Sequence, residues 1–122
     1  VIILDTNIFI YLANGILESE VILDKDISHA SITKIEALGF SKIPANELLL
    51  LNAFFDQSYG FDLTNSVIDL AIRLRQAKSM SLGDSIIAAT ALENNLILWT
   101  ANTNDFNHID DLELYNPIKD LK

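Results

Sequence analysis

Val1-Ile2-Ile3-Leu4-Asp5-Thr6-Asn7 is the stretch that decides the fold. Four apolar residues run straight into an acid, a hydroxyl and an amide. A continuous apolar run bounded by polar residues suits a strand buried on both faces, as in the middle of a parallel sheet. Asp5 then falls at the carboxyl end of that strand. In open α/β sheets, ligands bind outside this edge. Asp5 has two readings, a functional acid or a helix cap. The residues alone leave both open.

The chain downstream repeats the pattern. Ile8, Tyr11 and Leu12 follow i, i+3, i+4 spacing, with Asn7 or Asp5 as cap and Gly15 as the stop. A second short helix is expected from Leu17 to Leu23, and a strand from Ile27 to Ile32. Thr33-Lys34-Ile35-Glu36 reads as a capping box, with Glu36 reaching back to the Thr33 N–H. Pro44 suits the first turn of a helix from Ala45 to Phe55. Leu48-Leu49-Leu50-Leu51 point in all directions around that helix. It should be covered on more than one side, within the domain or by another chain.

Gly60 to Thr64 reads as a short strand and turn. From Asn65 to Lys78, Val67, Leu70, Ala71, Leu74 and Ala77 form one apolar stripe of a helix. Ser81-Leu82-Gly83-Asp84 opens another helix, through Asn94, with a capping-box-like start. Asp84 lies above Ile87, Ala88 and Ala91, on the side that faces the sheet. An acid there is costly unless it meets a cation or a donor. Leu96 to Trp99 is a fourth buried strand and runs into Thr100-Ala101-Asn102-Thr103-Asn104-Asp105-Phe106. Leu112 to Tyr115 closes as an edge strand. Alternating strands and helices predict parallel pairing through βαβ crossovers. The expected fold is α/β in three layers, α/β/α. A mostly parallel central sheet of four to five strands is flanked by helices in a single domain over 1–122.

Bulk composition narrows the function. A chain of 122 residues, half of them apolar, can bury a core of its own. No apolar run approaches the ~20 residues that span a bilayer, so no membrane partner is expected. No basic segment precedes the first strand, so no signal peptide is expected either. Cysteine is absent, which excludes disulfides and thiolate zinc sites within the chain. These features fit a cytoplasmic protein. The net charge is −9, from 17 acids against 8 bases, which argues against a long nonspecific duplex-binding surface. A nucleic-acid substrate would be held locally, by metal and a few cations. Arg73, Arg75 and Lys78 are the densest cations, and Lys34 is a further candidate. His29 reads as a packed strand residue, and His108 as a loop residue with no partner at ligand spacing.

Four acids stand out: Asp5, Glu36, Asp84 and Asp105. Three follow a strand within a few residues or open the helix after one. Asp84 opens the helix before the fourth strand. In a parallel sheet those points share one edge. Like carboxylates at close range oppose joint ionisation, and a divalent cation removes that cost. With no His or Cys in the set, Mg²⁺ or Mn²⁺ is favoured over zinc. Two such ions about 4 Å apart can polarise a phosphodiester and generate hydroxide. No Ser-His-Asp arrangement, Walker loop or dinucleotide glycine fingerprint competes with this reading.

Four segments carry a resemblance: Leu4-Asp5-Thr6-Asn7-Ile8, Ser31 to Glu36, Ser81 to Ala91, and Thr100 to Phe106. In order and spacing they resemble the motifs of PIN domains, and end to end the chain is similar to the short VapC-type toxins. The resemblance implies a PIN-like fold and a Mg²⁺- or Mn²⁺-dependent ribonuclease. It implies a homodimer held inactive by a cognate antitoxin. By motif, Asp5, Glu36, Asp84 and Asp105 would bind metal. Thr6 and Asn7 would order the Asp5 loop, and Thr103 or Asn104 would support Asp105. Gly83 is a departure, since relatives often have Pro before this acid. Alternatives are a housekeeping PIN nuclease in RNA processing and a non-catalytic interaction module docking through the leucine-rich helix.

Overall fold

The structure is a computed structural model and describes residues 1–118. The last four positions of the expected domain lie outside the described residues. Among the described residues there are five strands and five α-helices, one helix after the first strand and a pair of helices after each of the second and third. The strands are β1 (Ile2–Leu4), β2 (Ile27–Ala30), β3 (Tyr59–Phe61), β4 (Ile97–Trp99) and β5 (Leu114–Tyr115). The helices are α1 (Thr6–Asn14), α2 (Ser31–Leu38), α3 (Ala45–Asp56), α4 (Asn65–Ala77) and α5 (Leu82–Glu93).

The strands form one sheet in the order β3-β2-β1-β4-β5, and every neighbouring pair is parallel. The opening stretch is therefore its central strand, as its sequence predicts. Strand order reverses beside β1: β2 and β3 lie on one side, β4 and β5 on the other. Ligands of open α/β sheets gather at such a reversal. Register follows from apolar pairing, with Ile2 opposite Ile27 and Ile97, and Leu4 opposite Trp99.

Successive β1 side chains feed opposite faces of the sheet. Ile2 and Leu4 pack with Ile8, Phe9, Leu12, Phe54, Phe55 and Trp99. Ile3 packs with Ala30, Val67, Ile87, Ala88, Ala91 and Leu98. These two cores make the three layers. The alanines of α5 are 0% exposed at positions 88, 89 and 91, so small side chains let this helix lie close against its neighbours. Each large side chain buried in this way contributes about 1.5–3 kcal/mol.

Local signals set the helix ends. Gly15 takes the left-handed conformation, at φ 86°, that closes α1. Thr64 caps α4 by accepting from the Val67 N–H, and Ser81 caps α5 by accepting from the Asp84 N–H. Three expectations need correction. The expected helix from Leu17 to Leu23 is only a 3₁₀ turn, Ser19–Ile22. Pro44 is the cap of α3 rather than part of its first turn. The capping box at Thr33-x-x-Glu36 does not form. Strand β2 ends at Ala30 and α2 begins at Ser31, which places Thr33 inside the helix and fully buried. Glu36 is thereby free to serve elsewhere.

His29 sits on β2 and is 5% exposed. Its Nδ1 lies 2.7 Å from Ser58 Oγ, and its ring meets Phe9 and Phe55 edge-on. Burial, with a smaller push from Lys34, holds its pKa down at about 4, against an ordinary 6.5. The unfolded chain therefore binds the extra proton first as pH falls. We expect His29 to cost stability progressively from about pH 6.5 down to 4, by roughly 3 kcal/mol in full. Urea unfolding of the parent and of His29→Leu across that range checks this. The difference in stability between them should change with pH in that window and be flat above it.

Candidate metal centre

The four acids arrive at the site from different elements. Asp5 follows β1 and caps α1. Its Oδ1 accepts the Thr6 N–H at 2.7 Å, and its Oδ2 accepts the Thr100 hydroxyl at 2.7 Å. Thr100 follows β4, so this second bond spans the reversal in strand order. The cap and functional readings of Asp5 are thus compatible, since one oxygen caps and the other faces across the switch point. The Thr100 hydroxyl also accepts the Asn102 N–H at 3.0 Å, which fixes the turn leading to Asp105. Asp5 is 5% exposed.

Glu36, one turn along α2 from Thr33, reaches across to α1. Its Oε1 accepts the Thr6 hydroxyl at 2.6 Å, and that hydroxyl lies 3.4 Å from Thr33 Oγ1. Asp84 occupies the first turn of α5 and is half-buried, and Asp105 ends the exposed 3₁₀ turn Thr103–Asp105. The acids sense one another. Burial pushes the Asp84 carboxyl up to about 6; Asp5, Asp105 and Glu36 push the same way, while the Ser81 hydroxyl opposes them. Asp5 is raised too, by burial foremost, against the Thr100 and Thr6 hydrogen bonds, with Glu36 and Asp105 adding repulsion.

Among the described residues, no group of three or more acids or histidines is gathered closely enough to hold a metal ion. The donor set nevertheless fits a hard divalent cation. It consists of carboxylate oxygens, mutually repelling and partly desolvated. Mg²⁺ keeps several waters and takes one or two protein carboxylates rather than a full cage.

Gly83 shapes the Glu36 seat. A Cβ there would stand 2.6 Å from Glu36 Oε2. Only the far end of a flexible side chain is in the way, so Glu36 would move. We expect Gly83→Ala to detach Glu36 from Thr6 and weaken divalent-metal affinity several-fold. Its helix should lose no stability, because Ala is favoured over Gly within helices by about 1 kcal/mol. Mn²⁺ titration alongside thermal melts checks both halves.

The supporting residues divide. Thr6 bonds Glu36 directly. Asn7 lies on the first turn of α1, and its side chain makes no hydrogen bond among the described residues. Thr103 acts through its backbone carbonyl, which accepts the Phe106 and Asn107 N–H groups. Asn104 Oδ1 accepts from Asn107 Nδ2 at 3.5 Å. Thr100 was missed as a partner of Asp5 by sequence reasoning, because the signal that finds it is the strand register. Leu4 pairs with Trp99, so the residues following each strand, Asp5 and Thr100, share one register.

The candidate cations also divide. Lys78 lines a cavity of about 360 Å³ together with Ser79, Ser81, Asp84, Asn104, Asp105 and His108. Arg75 donates from Nε to the Met80 carbonyl at 3.2 Å and lines a separate apolar groove between α4 and α5. Arg73 is exposed on α4, and Lys34 is exposed on α2. Both ring nitrogens of His108 are shielded from solvent and without a partner among the described residues. Leaving such a group unsatisfied costs about 1–3 kcal/mol.

Fold and site together define a class: a three-layer α/β domain with carboxylates at the switch point of a parallel sheet. The chain belongs to the PIN domain family, whose model matches residues 2–112. Among solved structures it is similar to a toxin–antitoxin complex from Klebsiella pneumoniae, at 27% identity and TM-score 0.80, covering 96% of this chain and 98% of that one. It is also similar to VapBC2 from Rickettsia felis bound to a DNA fragment from their promoter, at 25% identity and TM-score 0.78, covering 93% and 96%. VapBC-1 from nontypeable Haemophilus influenzae shares the fold at 22% identity and TM-score 0.73, covering 94% and 96%. No curated protein matches the chain.

Proposed function

We propose that the protein is a VapC-type toxin, a Mg²⁺- or Mn²⁺-dependent endoribonuclease restrained by a cognate antitoxin. The observation that carries this is the placement of Asp5, Asp84 and Asp105 around the switch point, with Glu36 held beside them by Thr6; burial first, and the neighbouring acids second, raise the Asp5 and Asp84 carboxyls. A divalent ion held there would neutralise phosphate charge and lower the pKa of water. Asp5 is the anchor, because two hydrogen bonds fix both of its oxygens. Glu36 is placed by Thr6, and Asp84 by the start of α5. Asp105 stands on the exposed turn that follows β4. Hydrolysis adds water across one P–O bond, its oxygen going to phosphorus and a proton to the departing sugar oxygen. With a net charge of −9, the chain would hold RNA through a few local donors, Lys78 first and Lys34, Arg73 and Arg75 more peripherally.

The similar complexes from Klebsiella and Rickettsia support an antitoxin partner. Apolar surface is available for it and for a second copy of the chain. On α3, Leu48, Leu49 and Leu50 are 39%, 73% and 41% exposed, and only Leu51 of the four leucines is buried. The chain alone therefore leaves much of that helix uncovered, which a homodimer or an antitoxin would remedy. No described helix is long and apolar enough to cross a membrane. A panel of structured and single-stranded RNAs, incubated with Mn²⁺ or with chelator, tests the activity. Cleavage should require the ion. Equal cleavage in chelator, or none in either condition, would remove the proposal.

A further inference from the structure

We propose that His108, together with Lys78, seats a phosphate of the RNA strand beside Asp84 and Asp105. This rests on the nuclease reading and adds to it the group that holds the substrate. His108 lies on the turn after Asp105, outside the acid set. Its ring is an anomaly: neither nitrogen has a partner among the described residues, and neither reaches solvent. Buried polar groups are almost always paired, and each exception calls for an explanation such as strain, a catalytic role, or a bound water or ion. The imidazole borders the cavity that also holds Lys78, Ser81, Asp84 and Asp105. At about 360 Å³ the cavity is of small-ligand size, in the range of about 300–1,000 Å³.

The charge balance indicates which ligand suits it. Two acids in the cavity wall disfavour a bare anion, and Lys78 is the cation that lines it. A phosphodiester flanking the scissile bond would place its oxygens toward Lys78 and the imidazole N–H. The metal-binding acids then meet the reacting phosphate alongside. A turn of the His108 ring toward the cavity supplies the hydrogen bond that the free protein lacks. His108 is in this sense a positioning residue for the strand.

The test uses the parent protein and three variants, His108→Leu, His108→Gln and Lys78→Ala, with single-stranded RNA. Binding is read by fluorescence anisotropy in Ca²⁺, and KM and kcat are read in Mn²⁺. We expect His108→Leu to melt no lower than the parent, yet to weaken binding and raise KM roughly 10-fold, with kcat within about twofold. His108→Gln should recover most of the affinity. Lys78→Ala should weaken binding and flatten its salt dependence by about 0.7 in log–log slope. With only two histidines in the chain, ¹⁵N-histidine NMR of the parent gives a readout free of mutation. The His108 ring signals should shift as RNA is added, and those of His29 should not. Unchanged Kd and KM in His108→Leu, or an unmoved His108 signal with RNA bound, overturns the proposal while leaving the nuclease reading intact. A parent that neither binds nor cuts RNA overturns both.

Discussion

Asp84→Asn should abolish cleavage, by about 1,000-fold or more, and at the same time make the protein more stable at neutral pH. The first effect follows from the proposed nuclease site, in which Asp84 is a metal-holding charge worth several kcal/mol to a reacting phosphate. The second follows from the cost of holding that charge. Asp84 titrates at about 6 in the folded chain against 3.8 for the ordinary group. Its carboxylate therefore penalises the native state above about pH 6, and protonation relieves the penalty as pH falls toward 4. Screening by solvent at a half-buried position leaves about 1–2 kcal/mol of this. Chemical denaturation should show the Asn variant ahead of the parent at pH 7 without metal, with the gap closing by pH 4. A variant inactive and also less stable would mean that Asp84 is a structural acid. Because His29 works in the opposite sense over an overlapping range, only the parent–variant difference isolates Asp84.

Phe55→Ala should be the most damaging single change to stability, at about 3–5 kcal/mol. That is a large share of the roughly 5–15 kcal/mol available to a domain of this kind. Phe55 is 4% exposed and stacks on Phe9 with ring centroids 4.2 Å apart. Its ring also shields His29 at 4.9 Å. Truncation opens a cavity and wets the imidazole together. Denaturation curves should therefore show lost stability, and NMR titration should show the His29 pKa moving from about 4 back toward 6.5. A loss below about 1 kcal/mol, with His29 unmoved, would mean that the aromatic cluster can repack.

Much of this was legible in the residues. The apolar run Ile2–Leu4 could only be a central strand, because nothing in it tolerates water on either face. The alternation of strands with helices then dictated parallel pairing, and parallel pairing put the acids on one edge. What stayed hidden depended on distant partners. Glu36 satisfied a local capping pattern equally well, and only the early end of β2, two residues before the expected one, turned it toward Thr6. Thr100 looked like part of a polar turn until its register against Asp5 was known. His108 read as a lone loop histidine, since much of its surroundings comes from Lys78 and the start of α5, far off in the sequence. The four leucines of α3 called for cover on more than one side, by the domain or by another chain, and could not say which; on the single chain only Leu51 is buried.

Whether the four acids act as one cation site is decided most directly by titrating Mn²⁺ into the purified parent, Asp5→Asn and Asp84→Asn. Binding should be followed by calorimetry and melting temperature. For the parent we expect saturable binding and, at about one hundred times Kd, a melting temperature raised by roughly 10 °C. Either substitution should remove most of that rise, and the parent's own rise should shrink as Asp84 protonates below about pH 6. Equal Mn²⁺ affinity in all three proteins, or no binding by the parent, would contradict a shared metal site at the switch point.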